Sequence, residues 1–129
     1  NGEILGDCMQ NAIMGVLTVG GFVTIFYMWT QMLLSMPFLS GADSVVQGVI
    51  GGLLEVTTGC KILSGIGNAP LSAVLCSFLI SLGGLCIFLQ SNVFYKKCGI
   101  SGGKILLFKL TQAIFSAALC APMAFIFLK

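Results

Sequence analysis

Apolar residues occupy the chain in long blocks, and polar residues mark where the blocks end. The first block, about residues 11–36, stops before Pro37, which cannot extend a helical hydrogen-bond ladder. Tyr27 and Trp29 lie toward its end, where interfacial aromatic anchors are common. Gly20 and Gly21 in mid-span predict close helix packing in preference to a local break. Residues 38–43 form a turn. Ser44 and Gln47 have the spacing of a capping box, which predicts a helix over about 44–64. Along that helix Ser44, Gln47, Gly48, Gly51, Gly52, Glu55, Thr58 and Gly59 recur at spacings of three and four. They form a small-and-polar stripe opposite Val46, Val49, Ile50, Leu53, Leu54 and Val56. Gly48 and Gly52 make a GxxxG pair that admits another backbone. The element either crosses a membrane fully or enters and returns as a re-entrant hairpin with Leu71 onward.

Asn68-Ala69-Pro70 reads as a restart, with Pro70 in a first-turn position. The next block covers about 71–95. It places Ala73, Ser77, Ser81 and Gly84 on one face, and Gly83-Gly84 after Ser81 make helix continuity poor. Lys96, Lys97 and Lys104 surround the turn 98–103. The last block, about 103–128, carries Ala113, Ala117, Cys120, Ala121 and Ala124 as a small-residue face for helix contact. Lys109 is near enough to its end to snorkel.

Charge placement changes this from a helical pattern into a membrane pattern. Of 129 residues, 6 are Lys or Arg and 4 are Asp or Glu, while 57% are hydrophobic. The uncharged runs 8–42, 62–95 and 110–128 contain 35, 34 and 19 residues. About 20 apolar residues span a bilayer as a helix. The expected fold is therefore all-α, a polytopic membrane helical bundle of three to four membrane helices with one re-entrant or broken element. Residues 1–129 form a single membrane domain. A net charge of +2 excludes a nucleic-acid binder, and the composition excludes a disulfide-stapled secreted domain and a soluble hydrolase. The lysine-rich turn should face the cytoplasm. Span 71–95 then runs inward and 103–128 outward. The N-terminus is outside if 44–64 crosses, and inside if it is re-entrant. The acidic flank Glu3 and Asp7 argues against a cleavable signal peptide, and a start at Asn1 reads as a processed or excised piece.

No catalytic constellation is present, and an enzyme is not expected. The chain has no His, and its six Cys form no CxxC, so neither a metal site nor a cofactor is expected. Cys is read as a small apolar packing residue. The residues that suit solute recognition are Glu55, Thr57 and Thr58 on one element, and Ser81, Gly83, Gly84 and Gln90 on the next. Broken membrane helices expose backbone groups that bind polar solutes near the midplane. A carboxylate at that depth costs about 2.5–3.5 kcal/mol on insertion scales, so Glu55 must face protein or water. It is either a solute, proton or cation ligand, or a structural carboxylate held by hydroxyl and amide groups or by Lys61. For Thr57, Thr58 and Ser81, back-bonding to the helix is as good a reading as ligand contact.

Gly52-Leu53-Leu54-Glu55-Val56-Thr57-Thr58-Gly59, followed by Ser81-Leu82-Gly83-Gly84-Leu85-Cys86-Ile87-Phe88-Leu89-Gln90, resembles the sporulation integral membrane protein family (YlbJ-like). That family belongs with the nucleoside-recognition Gate domains, which also occur in concentrative nucleoside transporters and ferrous-iron transport proteins. The resemblance covers about 44–128. It implies a longer protein of two related halves, of which this chain resembles the C-terminal one. It also implies a bacterial cytoplasmic or forespore membrane and a transporter-like role in sporulation. The leading expectation is a domain that binds and moves a small polar solute. Its partners are the lipid bilayer, that solute, and a second copy or the missing N-terminal half. A non-transporting assembly subunit packing through small-residue faces is the alternative, and a passive channel is a third.

Overall fold

Three stretches are long and apolar enough to cross a bilayer: Gly2–Leu34, Ala69–Lys96 and Gly102–Phe127. They come from a computed structural model that describes residues 2–99 and 101–128. Asn1, Ile100 and Lys129 lie outside the described residues, as does the side chain of Lys97, so the readings that rest on them end there. All seven described elements are helices: α1 (Gly2–Leu34), α2 (Pro37–Ser40), α3 (Ser44–Leu54), α4 (Val56–Ser64), α5 (Ala69–Leu82), α6 (Gly84–Lys97) and α7 (Gly102–Phe127).

Helix α1 is longer than its apolar block. It starts at Gly2 and ends at Leu34, about 50 Å at 1.5 Å per residue. Thr18, Thr24 and Thr30 donate their hydroxyls to the carbonyls of Met14, Gly20 and Phe26, four residues back. These bonds let hydroxyl residues sit in an apolar helix without an outside partner. The helix runs unbroken through Gly20 and Gly21, and among the described residues no atom beyond the helix's own backbone comes within 4 Å of where a side chain on either would begin. The close packing predicted there is not made within this chain.

The predicted helix over 44–64 is two helices. It starts at Ser44 as expected, but the capping box does not form. Asp43 is the N-cap residue and gives no side-chain bond. Gln47 instead donates to the carbonyls of Leu39 and Ala42 at 2.9 and 3.0 Å, tying α3 to the preceding turn. At Glu55 the backbone turns extended (φ −142°, ψ 113°), and α4 folds back along α3. The pairing is antiparallel, with Gly59 against Gly52 and Leu63 against Gly48. A methyl group on Gly59 would overlap the Gly52 backbone and stand 2.7 Å from the Gly48 carbonyl oxygen. The GxxxG pair thus admits the second arm of its own hairpin. Arms of 11 and 9 residues reach only about 16 and 13 Å, too short to cross about 30 Å of hydrocarbon. The return is at Glu55, within 44–64, and not between that element and Leu71 onward.

Asn68 caps α5 through a bond from the Leu71 N–H at 3.1 Å, with Pro70 in the first turn. Helix α7 then runs antiparallel to α5. Ser77 and Ser116 share a hydrogen bond of 2.7 Å, and the Cys120 thiol reaches the Ala73 carbonyl at 3.7 Å. Ala113 and Ala124, two of the expected small residues, are buried there. Helix α4 joins α5 through Ser72 Oγ, which donates to the Leu63 carbonyl at 2.7 Å.

Two outcomes test this topology. Single cysteines introduced by Gly41→Cys and Gly67→Cys should react with an impermeant maleimide from one side of the membrane and Cys8 from the other; labelling of positions 41 and 67 from opposite sides would mean that 44–64 crosses. Gly59→Ala should destabilise the protein by about 1–3 kcal/mol or more in detergent. Gly67→Ala, whose added methyl would meet no described atom within 4 Å beyond its chain neighbours, should leave the thermal midpoint unchanged.

Candidate functional site

Glu55 creates the first helix break and closes it. Its side chain folds back over the first turn of α4, where orphan N–H groups need acceptors. The carboxylate accepts from the Thr57 N–H at 3.0 Å and the Thr58 N–H at 2.8 Å. It also accepts from the Thr58 hydroxyl at 2.7 Å and from the Thr57 hydroxyl at 2.7–2.8 Å. Glu55 is 4% exposed. Its negative charge sits at the positive end of the α4 dipole, and both threonines hold it with charge-assisted bonds, which are shorter and stronger than neutral ones. Of the readings open for Thr57 and Thr58, back-bonding to a helix carbonyl is not made, since both hydroxyls bond this carboxylate.

Gly83 and Gly84 make the second break. Both adopt the left-handed region, with φ of 83° and 59°, where a side chain is costly and glycine is not. The two breaks meet. A methyl on Gly84 would lie 3.0 Å from the Gly52 carbonyl oxygen, 3.3 Å from that of Leu53 and 3.1 Å from Val56. The carbonyl end of α3 therefore faces the start of α6, an arrangement of opposite partial charges. Lys109 does not point to the end of α7. Its ammonium lies 3.2 Å from where a Gly83 side chain would begin, beside the carbonyl end of α5. The antiparallel register of α5 and α7 carries it there.

The polar space lies on the other side of the hairpin. A cleft of about 600 Å³ opens between α1, α3 and α4. Helix α1 contributes Tyr27, Gln31 and Leu34, the turn after it Ser35, α3 Gln47, and α4 Thr57, Thr58, Lys61 and Ile62. The threonine hydroxyl protons are committed to Glu55, so toward any occupant these hydroxyls act only as acceptors. The Gln47 amide nitrogen is committed to Leu39 and Ala42, which leaves its carbonyl oxygen as the free end. The space beside Gly84 is smaller, about 230 Å³, and its walls are Leu53, Leu82, Leu85, Phe88 and Leu106.

Of the residues singled out in the sequence, Thr57 and Thr58 line the polar cleft, and Glu55 lies behind them. Gly83 and Gly84 form the neighbouring break. Ser81 is half-buried, two residues before Gly83. Gln90 is buried away from the cleft, where its amide reaches Cys86 Sγ at 3.2 Å and the Val19 carbonyl on α1 at 3.5 Å. Tyr27, Gln31, Ser35, Gln47 and Lys61 were not singled out as ligands. The signal for three of them is the spacing 27, 31, 35, which puts one polar face at the end of an otherwise apolar helix.

Because the carboxylate is the acceptor for the whole first turn of α4, Glu55→Gln should lower stability by about 1.5–3 kcal/mol, as expected for a hydrogen bond to a charged group. Thr58→Val should lower it less, with the Thr58 N–H bond retained. Thermal unfolding in detergent checks both, and an unchanged midpoint for Glu55→Gln would remove the cap from the account of stability.

No family model matches the chain, and no solved structure matches it significantly. Among curated proteins it is similar to "Sporulation integral membrane protein YlbJ" of Bacillus subtilis (strain 168), with 26% identity over 131 residues. The alignment covers 90% of this chain and 32% of that protein, so the chain spans about a third of its relative's length. With three spanning-length apolar helices, the chain is a multi-pass membrane protein related to a sporulation integral membrane protein.

Proposed function

We propose that the chain is a transporter-like membrane domain that binds a small polar solute in the cleft of Gln31, Gln47, Thr57, Thr58 and Lys61. The observation that carries this reading is the meeting of two helix breaks, at Glu55 and at Gly83-Gly84, the first of them backed on its other side by a polar cavity in an otherwise apolar bundle. Irregular backbone at membrane depth is tolerated where protein or a water-filled cavity shields it from lipid, and such breaks are where secondary transporters bind solute. Motion of the α3–α4 hairpin against the broken α5–α6 helix switches access. Glu55 acts through Thr57 and Thr58, which it orients. No catalytic role is assigned.

The membrane is bacterial, either cytoplasmic or forespore, in keeping with the relative's name. The chain is one half of a longer, two-repeat protein. The lysine turn lies on the cytoplasmic side, the hairpin enters from the opposite face, and the N-terminus of α1 is inside. A second reading, a non-transporting assembly subunit, draws on the exposure of α1, whose apolar residues from Ile4 to Met32 are largely uncovered within this chain. In the transporter reading the remaining part of the protein, or a second copy, covers that face.

Uptake into proteoliposomes tests the proposal, with nucleosides as the first probes because of the Gate-domain resemblance and amino acids as the second. Wild type should give saturable uptake of at least one probe. Gln31→Leu and Thr57→Val should each raise the half-saturation concentration about fivefold or more, the effect of one lost hydrogen bond of about 1 kcal/mol. Non-saturable flux, or unaltered uptake by both variants, would overturn the cleft as the binding site. Loss of assembly without any solute flux in the wild type would favour the subunit reading.

A further inference from the structure

Two cysteines face each other across the α4–α5 contact. Cys60 lies on the second arm of the hairpin and Cys76 on the spanning helix, and each is half-buried and free. The Cys76 thiol points at the Cys60 carbonyl, with Sγ 4.0 Å from the oxygen. One helical turn away, Ser72 holds the Leu63 carbonyl, so the antiparallel register of α4 and α5 is set on the side next to the pair. The other cysteines are placed differently. Cys86 is engaged by Gln90, Cys120 is turned to Ala73 on the α7 side, and Cys8 and Cys98 are exposed.

We propose that Cys60 and Cys76 form an oxidisable dithiol whose disulfide clamps the re-entrant hairpin to the spanning helix. Disulfides need Cα atoms about 4.4–6.8 Å apart, and the Cys76 side chain already reaches the backbone of Cys60. Cys60 lies four residues before the end of α4, near the face where the hairpin enters. In the orientation proposed above that face is opposite the lysine turn, the side on which bacterial disulfides form and persist. The oxidant is a low-molecular-weight disulfide. One cysteine thiolate attacks it, forming a mixed disulfide and releasing one thiol. The second cysteine thiolate then attacks the protein-bound sulfur, forming the Cys60–Cys76 bond and releasing the second thiol. Two cysteine protons and two electrons leave the protein, and the oxidant becomes two thiols. The bond joins the two bodies that move apart in the proposed access switch, so oxidation stops exchange. This consequence rests on the transporter reading; the bond itself does not.

The experiment uses the whole protein in liposomes, treated with 2,2′-dipyridyl disulfide, blocked with N-ethylmaleimide, digested and read by mass spectrometry. A Cys60–Cys76 linked peptide should form in wild type, vanish on dithiothreitol treatment, and be absent from Cys60→Ser and from Cys76→Ser. Saturable uptake should be lost on oxidation of wild type and kept by both variants. If Cys60 and Cys76 remain unlinked while exposed Cys8 is modified, the dithiol is overturned. A linked protein with undiminished uptake overturns the clamp. A linked protein in a preparation with no uptake at all upholds the dithiol and fails the transporter reading instead.

Discussion

A helix that ends inside a membrane leaves N–H or C=O groups that lipid cannot satisfy. The Glu55 carboxylate answers that constraint at the tip of the α3–α4 hairpin, where it accepts from the N–H and hydroxyl groups of Thr57 and Thr58. Opposite charge recurs at the other ends. The carbonyl end of α3 lies against the start of α6, and Lys109 lies beside the carbonyl end of α5. The charges of Glu55 and Lys109 are therefore explained by the helix termini they face. A glutamate here is both a cost and a cap. Its burial is compensated because the same break that exposes donors supplies them to it.

Glycine makes this geometry reachable. Gly48, Gly52 and Gly59 let the hairpin arms touch backbone to backbone, and Gly84 lets the second break seat against the first. Membrane helices gain little from excluding water between apolar faces, so close van der Waals contact and interhelical hydrogen bonds carry much of the association. The bonds Ser72 to Leu63 and Ser77 to Ser116 fit that description, since each satisfies a polar group across a helix pair. Leu63 and Leu79, both essentially fully buried, fill the space that Gly48 and Gly52 leave.

The polar cleft follows from the same arrangement. Thr57 and Thr58, held by Glu55, stand at the wall shared with α1 and the turn after it, where Gln31 and Ser35 complete a polar surface. The Gly83-Gly84 break, by contrast, opens onto an apolar space. The two breaks thus have different surroundings. One sits behind a polar wall, and the other gives the spanning helix a bend at the level of the hairpin tip.

Much of this was legible in the chain itself. The charge-free runs determined that lipid is the main solvent and that three stretches are long enough to span it. The Gly83-Gly84 break and the small face of α7 were readable because glycine conformation and side-chain size act locally. The tertiary structure alone decided that 44–64 bends at Glu55. A three-to-four spacing is equally compatible with one straight helix or with two arms folded on each other, and the choice depends on Gly59 finding Gly52. It also decided where the polar cavity lies. Periodicity reports which face of an element is polar, but the partner of that face (here α1, distant in sequence from α4) is set by packing. The position of Lys109 has the same origin, since a flexible lysine is directed by the helix it lands beside and not by its distance from the end of its own.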